Sequence, residues 1–322
     1  TMELLRKIED GGYPTEYLVA RIQGRSAAFL RDWDALIFSP DPLASLAATG
    51  YRNIIAARAE DIPWQRLARE YEWVYLQMNS ALRRIFKPFF THQELRTLFL
   101  ALRYKRGNDE KRLQEVLLAS LLAKTVKTTL RDLPDVPAVL PEVERVLIVM
   151  SPRFSGLEDL FLRGGLGAVE QHITDTCLEH TVRSPLHPIM RGFFRRLIDM
   201  RNIMSLYKHQ RWTMKDRPLF LRGGTIEEPV LTQAAGSRTG EGASDLIARL
   251  TGTAPEIITP TSVEHALIEG MTRLLKKEAR TASEIGRILQ YLWQCFIEAR
   301  NLSAILAGRD MDRELVSQEI LS

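Results

Sequence analysis

Apolar side chains recur along this chain at intervals of three and four, and twice they do so in the same arrangement. Gly192 to Lys208 (GFFRRLIDMRNIMSLYK) and Tyr291 to Gly308 (YLWQCFIEARNLSAILAG) align without a gap, pairing Phe194 with Trp293, Leu197 with Phe296, Ile198 with Ile297, Ile203 with Leu302 and Leu206 with Ile305. That spacing predicts two amphipathic helices, each with one buried face. The polar positions match as well: Asp199 with Glu298, Arg201 with Arg300, Asn202 with Asn301. Each Asn stands four positions from an apolar residue on either side, which puts it on the buried face. An unsatisfied amide there costs roughly 1 to 3 kcal/mol, so each Asn is expected to bond a neighbouring backbone or the acidic residue three positions before it.

The remaining pattern is helical almost throughout. Helices are expected over 15–31, from Leu43 to a C-cap at Gly50, over 64–86 and 93–106 with a break at Lys87-Pro88 and Thr91 as N-cap, and without interruption over 110–131. A turn-rich segment, 133–141, follows. Val143 to Met150 contains the one β-like run, VLIVM, but no alternating partner strand surrounds it, so it reads as buried helix. Residues 232–244 (TQAAGSRTGEGAS) read as a mobile linker. A helix over Ser262 to Ala279, capped by Thr261 or Ser262, and a short helix in the tail complete the chain. The fold class is therefore all-α.

A fainter third copy of the repeated helix lies at Leu98 to Asn108, where Lys105 replaces the acidic residue and Gly107 the Arg. With Asn108, Asn202 and Asn301 as markers the period is 94 and then 99 residues. This is too long for a solenoid and predicts three similar helical domains, over 1–108, 109–212 and 213–322.

Composition narrows the function more than it defines it. The net charge of +4 comes from the first 108 residues, with 16 Lys/Arg against 12 Asp/Glu, too dispersed for the dense basic stripe of a nucleic-acid binder. An acidic protein surface or anionic lipid suits it at least as well. Only two cysteines occur, Cys177 and Cys295, which predicts a reducing compartment and no disulfide framework. The start lacks the apolar core of a secretory signal and no run approaches the roughly 20 apolar residues of a membrane span, so a soluble cytosolic chain is expected. His172, Cys177, Glu179 and His180 crowd ligand-type side chains, but on one helix the two His stand about 12 Å apart along the axis, too far to share a metal. Phe161-Leu162-Arg163-Gly164-Gly165 recurs as Phe220-Leu221-Arg222-Gly223-Gly224 without the Lys and Ser/Thr of a phosphate loop, and both copies read as helix-terminating turns. No nucleophile elbow or dinucleotide fingerprint is present, and no catalytic, cofactor or metal residue is assigned.

Taken together, Tyr17-Leu18-Val19-Ala20-Arg21-Ile22, Arg103-Tyr104-Lys105-Arg106-Gly107-Asn108, Asp199-Met200-Arg201-Asn202, Leu221-Arg222-Gly223-Gly224 and Glu298-Ala299-Arg300-Asn301-Leu302 carry a resemblance over nearly the whole chain. The chain resembles the family of the C subunit of bacterial and archaeal V-type (A-type) ATPases, which is related to the d subunit of the eukaryotic V-type enzyme. Lys105 and Asp109 depart from the pattern of that family's first repeat. The resemblance implies three helical domains about a pseudo-threefold axis, shaped as a funnel. It also implies a non-catalytic, cofactor-free rotor component that is a monomer within the complex. A cytoplasmic position follows, peripheral to the membrane, with the central shaft and the membrane proteolipid ring as partners and no nucleic acid. A helical scaffold of an unrelated assembly is the alternative.

Overall fold

The computed structural model describes all residues except 1, 2, 10, 53, 55–57, 213–217, 238–240, 254, 256, 257, 282 and 322. The described residues form helices joined by turns, with no strand. In chain order the helices are α1 (Thr15–Ser26), α2 (Trp33–Ile37), α3 (Pro42–Leu46), α4 (Ile62–Gln77), α5 (Ser80–Arg106), α6 (Glu110–Leu118), α7 (Lys124–Asp132), α8 (Val136–Ile148), α9 (Leu157–Arg183), α10 (Pro188–Arg211), α11 (Glu228–Ala235), α12 (Glu241–Thr251), α13 (Pro260–Arg280), α14 (Glu284–Ala307) and α15 (Arg313–Gln318). No helix among the described residues is long and apolar enough to cross a membrane.

Two compact units divide the chain, one of Thr1–His180 with Gln294–Gln318, the other of Thr181–Trp293 with Glu319–Ser322. The first has a core of Leu98, Leu102, Leu113, Leu130, Leu140, Phe154 and Val169, all fully buried. Beside it Tyr71, Tyr75, Phe89 and Phe90 meet edge to face at 4.8 to 6.0 Å between centroids, arrangements that add about 0.5 to 1.5 kcal/mol per pair beyond burial. The second unit packs α10 through α13 around Ile203, Leu206, Leu231, Ile247, Val263 and Leu267.

Several boundaries differ from the sequence expectation. The break expected at Lys87-Pro88 is absent: α5 runs through Pro88, and Thr91 is buried in mid-helix instead of capping. A proline inside a helix costs about 3 kcal/mol, but Phe86, Phe89 and Phe90 around it are fully buried and hold the helix in place. The actual break is at Met78-Asn79, where the Asn79 side chain accepts the Leu82 N–H at 2.9 Å and Tyr13 N–H bonds Gln77 O at 2.7 Å.

The expected helix over 110–131 is interrupted at 119–123, because the start of the chain pairs there. Arg6 N–H bonds Leu121 O and Ala123 N–H bonds Leu4 O, both at 2.8 Å, satisfying backbone groups that a continuous helix would have used internally. The segment 133–141 is mostly the first turns of α8, capped by Asp135 on Ala138 N–H at 2.9 Å; of VLIVM, Val146 and Leu147 are buried helix as expected, while Ile148 and Val149 are exposed and the helix stops at Ile148. The linker over 232–244 shrinks, since α11 reaches Ala235 and α12 begins at Glu241; positions 238–240 of it lie outside the described residues. α3 stops at Leu46, short of Gly50. α13 is capped by Thr259, in a reciprocal box with Ser262, two or three residues earlier than expected.

Candidate functional site in the buried locks of the repeated helices

In the second copy of the repeated pattern, Asp199 and Asn202 stand one turn apart on α10, and both are essentially inaccessible. Asn202 bonds one residue at both of its backbone groups: its Nδ2 donates to Leu221 O at 2.9 Å and its Oδ1 accepts Leu221 N–H at 2.8 Å. Asp199 accepts the N–H of Thr225 at 2.8 Å, the N–H of Ile226 at 3.1 Å and the Thr225 hydroxyl. Burial pushes its carboxyl above the usual range, while those three donors and Arg196 pull the other way. The two side chains thus hold the loop over 221–226 by its backbone. The amide expected on sequence grounds to seek backbone partners does so, while the acid three positions before it serves the same loop.

Glycine makes that grip possible. A Cβ at Gly224 would sit 2.2 Å from Asp199 Oδ1, and one at Gly223, whose φ is +100°, would lie 2.5 Å from Val182 Cγ2. This Phe-Leu-Arg-Gly-Gly segment is therefore a close-approach loop and not a helix terminator. Its earlier copy lies within α9, where Gly165 at φ 67° and ψ −169° is non-helical and separates two helical stretches, as a helix-terminating turn does.

In the third copy, Glu298 takes the acidic place on α14. It accepts Leu30 N–H at 2.7 Å and the Tyr51 hydroxyl at 2.6 Å, with Arg66 Nε 4.0 Å away and its guanidinium over the Tyr51 ring. Burial raises both the Glu298 carboxyl and the Tyr51 phenol. One turn on, Asn301 is fully buried. Ser303, on the same helix, accepts Trp64 Nε1–H at 2.9 Å and donates to Glu60 O.

The first copy reverses the polarity. Lys105, 4% exposed, donates from Nζ to Arg131 O at 2.9 Å and to Leu133 O at 2.7 Å, with Glu110 at 3.8 Å. Where Asp199 and Glu298 accept from backbone N–H groups and a hydroxyl, Lys105 donates to backbone carbonyls; the helix position does the same work with opposite charge. Asn108 is not a buried amide: it is exposed, sits at φ 54° and ends α5 in the left-handed conformation that Asn tolerates. Arg201 and Arg300 are half-buried. Tyr17, 49% exposed, stands edge-on to Tyr13, and Arg21 is exposed on α1, so neither belongs to a lock.

Sequence reasoning missed Lys105 as a lock, and missed Leu30, Tyr51 and Thr225 as what the locks hold. Only Lys105 carried a signal, a charged residue at a position where the period predicts burial. In α9, Glu179 pairs with Arg153 at 2.6 Å and His172 Nε2 lies 2.9 Å from Arg153 O, so two of the four crowded ligand types are engaged with a neighbouring segment. Among the described residues no three His, Cys, Asp or Glu converge as a metal would require.

Comparison with curated proteins gave no match. A family model described as ATP synthase (C/AC39) subunit matches residues 18–318, which takes in every lock helix and the loop each one holds. The chain belongs to that family and is a subunit of a rotary V/A-type ATPase.

Proposed function

We propose that this chain is a central-stalk rotor adapter without chemistry of its own, joining the central shaft of a V-type (A-type) ATPase to the membrane proteolipid ring for proton or sodium transport. It would work as a monomer within the complex, on the cytoplasmic side and peripheral to the membrane through the ring. The family match over residues 18–318 carries this reading.

The locks support it. A part that transmits torque must resist shear between its elements, and hydrogen bonds to buried charged groups, worth about 1.5 to 3 kcal/mol each, oppose sliding in a way that non-directional apolar packing does not. Their order along the chain supports the three domains of 1–108, 109–212 and 213–322. Lys105 holds residues early in the second domain, Asp199 residues early in the third, and Glu298 residues early in the first. Each lock helix therefore serves the next domain in cyclic order.

The test is reconstitution of the ATPase with and without this chain. ATP hydrolysis by the detached catalytic head should persist without it, and ion transport should stop. Transport that continues in its absence refutes the adapter role, and lost hydrolysis in the isolated head would reveal a catalytic contribution.

A further inference from the structure

A cavity of about 240 Å³ opens between α4, α5 and α6, within the first compact unit and apart from the three locks. Leu67, Leu100 and Val116 form part of its wall, and Trp64, Arg96 and Arg112 supply aromatic and cationic groups. Three of its polar side chains are incompletely satisfied. Arg96 stacks on the Trp64 ring, its guanidinium carbon 3.3 Å from the centroid, yet among the described residues it has no ion pair and no hydrogen bond. Desolvation pushes it down to about 10, although Tyr71, Tyr104 and Asp61 nearby pull the other way. Asp61, whose charge acts on Arg96, is hydrogen-bonded by Arg112 Nη2 at 2.9 Å. Glu94, only 7% exposed, accepts Leu121 N–H through Oε1 at 2.8 Å, while its Oε2 is buried and makes no well-formed hydrogen bond, although the Thr97 hydroxyl one turn on favours the charged carboxyl. Arg112 Nε is left in the same condition.

A half-buried cation without an ion pair of its own, a buried carboxyl oxygen without a well-formed hydrogen bond and an aliphatic wall between helices are complementary to one kind of molecule. We infer that this cavity binds a small carboxylate that carries a hydrogen-bond donor and an apolar side chain. The carboxylate meets Arg96 and Arg112 Nε, the donor meets Glu94 Oε2, and the apolar group lies against Leu67, Leu100 and Val116. Hydroxy acids and N-acylated amino acids share this chemistry, and so does the C-terminal residue of a peptide. The free acid and the peptide end are separated by the choice of probe. The inference does not depend on the rotor reading, because every residue it uses lies in this one cavity.

The experiment titrates the full-length chain at pH 8, where Glu94 is ionised, with 3-phenyllactate and with N-acetylphenylalanine, a mimic of a peptide C-terminus, following binding by saturation-transfer NMR. Two controls each remove one feature: 3-phenyllactamide lacks the charge and 3-phenylpropionate lacks the donor. Saturable binding of at least one probe is expected below about 20 mM, the range set by so few atoms. The amide should bind about tenfold more weakly or worse, since a charge-assisted hydrogen bond is lost. 3-Phenylpropionate should be about three- to tenfold weaker than 3-phenyllactate. N-acetylphenylalanine binding about tenfold tighter than 3-phenyllactate assigns the site to peptide termini, and the reverse assigns it to free acids.

Arg96→Gln should weaken binding by about tenfold, and Ala119→Phe, which puts a ring on the cavity wall, should abolish it. Helical circular dichroism and the melting transition establish that each variant is folded, and if one is not, the other decides. No saturable binding of either probe, equal affinity for 3-phenyllactate and its amide, or unchanged affinity in a folded variant overturns the inference.

Discussion

Asn202→Leu removes one lock arm while nearly preserving side-chain volume. The Asn202 amide satisfies both the N–H and the C=O of Leu221, at 2.8 and 2.9 Å, and a leucine can satisfy neither. Two net hydrogen bonds of about 0.5 to 1.5 kcal/mol give a loss of about 1 to 3 kcal/mol. Leu221 is only half-buried, so water recovers part of this and the lower half of the range is expected. Native-state amide hydrogen exchange reads the effect residue by residue. At one decade per about 1.4 kcal/mol, that lower half makes the Leu221 amide exchange about 5- to 30-fold faster, provided it exchanges by local opening. The amides of Thr225 and Ile226, held by Asp199, are the internal control and should change by far less. Urea unfolding of the same variant should show the midpoint falling in proportion. If Leu221 exchange and the urea midpoint are both unchanged, the amide contributes no lock and the reasoning is wrong.

Lys105→Met should cost about 2 to 3 kcal/mol in urea unfolding by leaving the Arg131 and Leu133 carbonyls without their shared donor; a loss under about 0.5 kcal/mol, the scatter of ordinary surface substitutions, would show that Lys105 is only a buried stem. Gly224→Ala should drive Asp199 from the loop, since its Cβ would lie 2.2 Å from Oδ1, and Thr225 and Ile226 should lose exchange protection together; retained protection would refute the close-approach account. Burial raises the Glu94 carboxyl from 4.5 to about 7, so the folded chain keeps a proton that the unfolded chain has released. That contribution to stability is complete below the unfolded value and is lost as pH rises through about 7. It amounts to about 3 kcal/mol, and melting at pH 5 and pH 8 should show wild type losing more than Glu94→Gln, with an identical loss counting against the assignment.

The helical class, the two strong copies of the repeat and the backbone-seeking amide of Asn202 were legible because period and burial are local properties of α10 and α14. Boundaries were less legible where tertiary contacts override local signals. Pro88 breaks an isolated helix, yet three fully buried phenylalanines keep α5 continuous. Positions 119–123 look helical, yet the chain start captures their backbone. The residues the locks hold were not legible at all, because a carboxylate's need for donors does not say which segment will supply them. Lys105 looked like a lapse in the repeat; the inverted polarity of its partners made it a member.

The reach of Glu298 has a consequence for how the protein is made. Its partner Tyr51 precedes it by 247 residues, and Leu30 by 268. On a ribosome adding about 5 to 20 residues per second, Tyr51 would emerge about 12 to 50 s before that carboxylate exists. The Lys105 and Asp199 locks close over 28 residues or fewer and can form as each hairpin of helices leaves the tunnel. The first segment of the nascent chain must therefore wait, with its Tyr51 hydroxyl and Leu30 amide served by water or a chaperone, until the last long helix arrives.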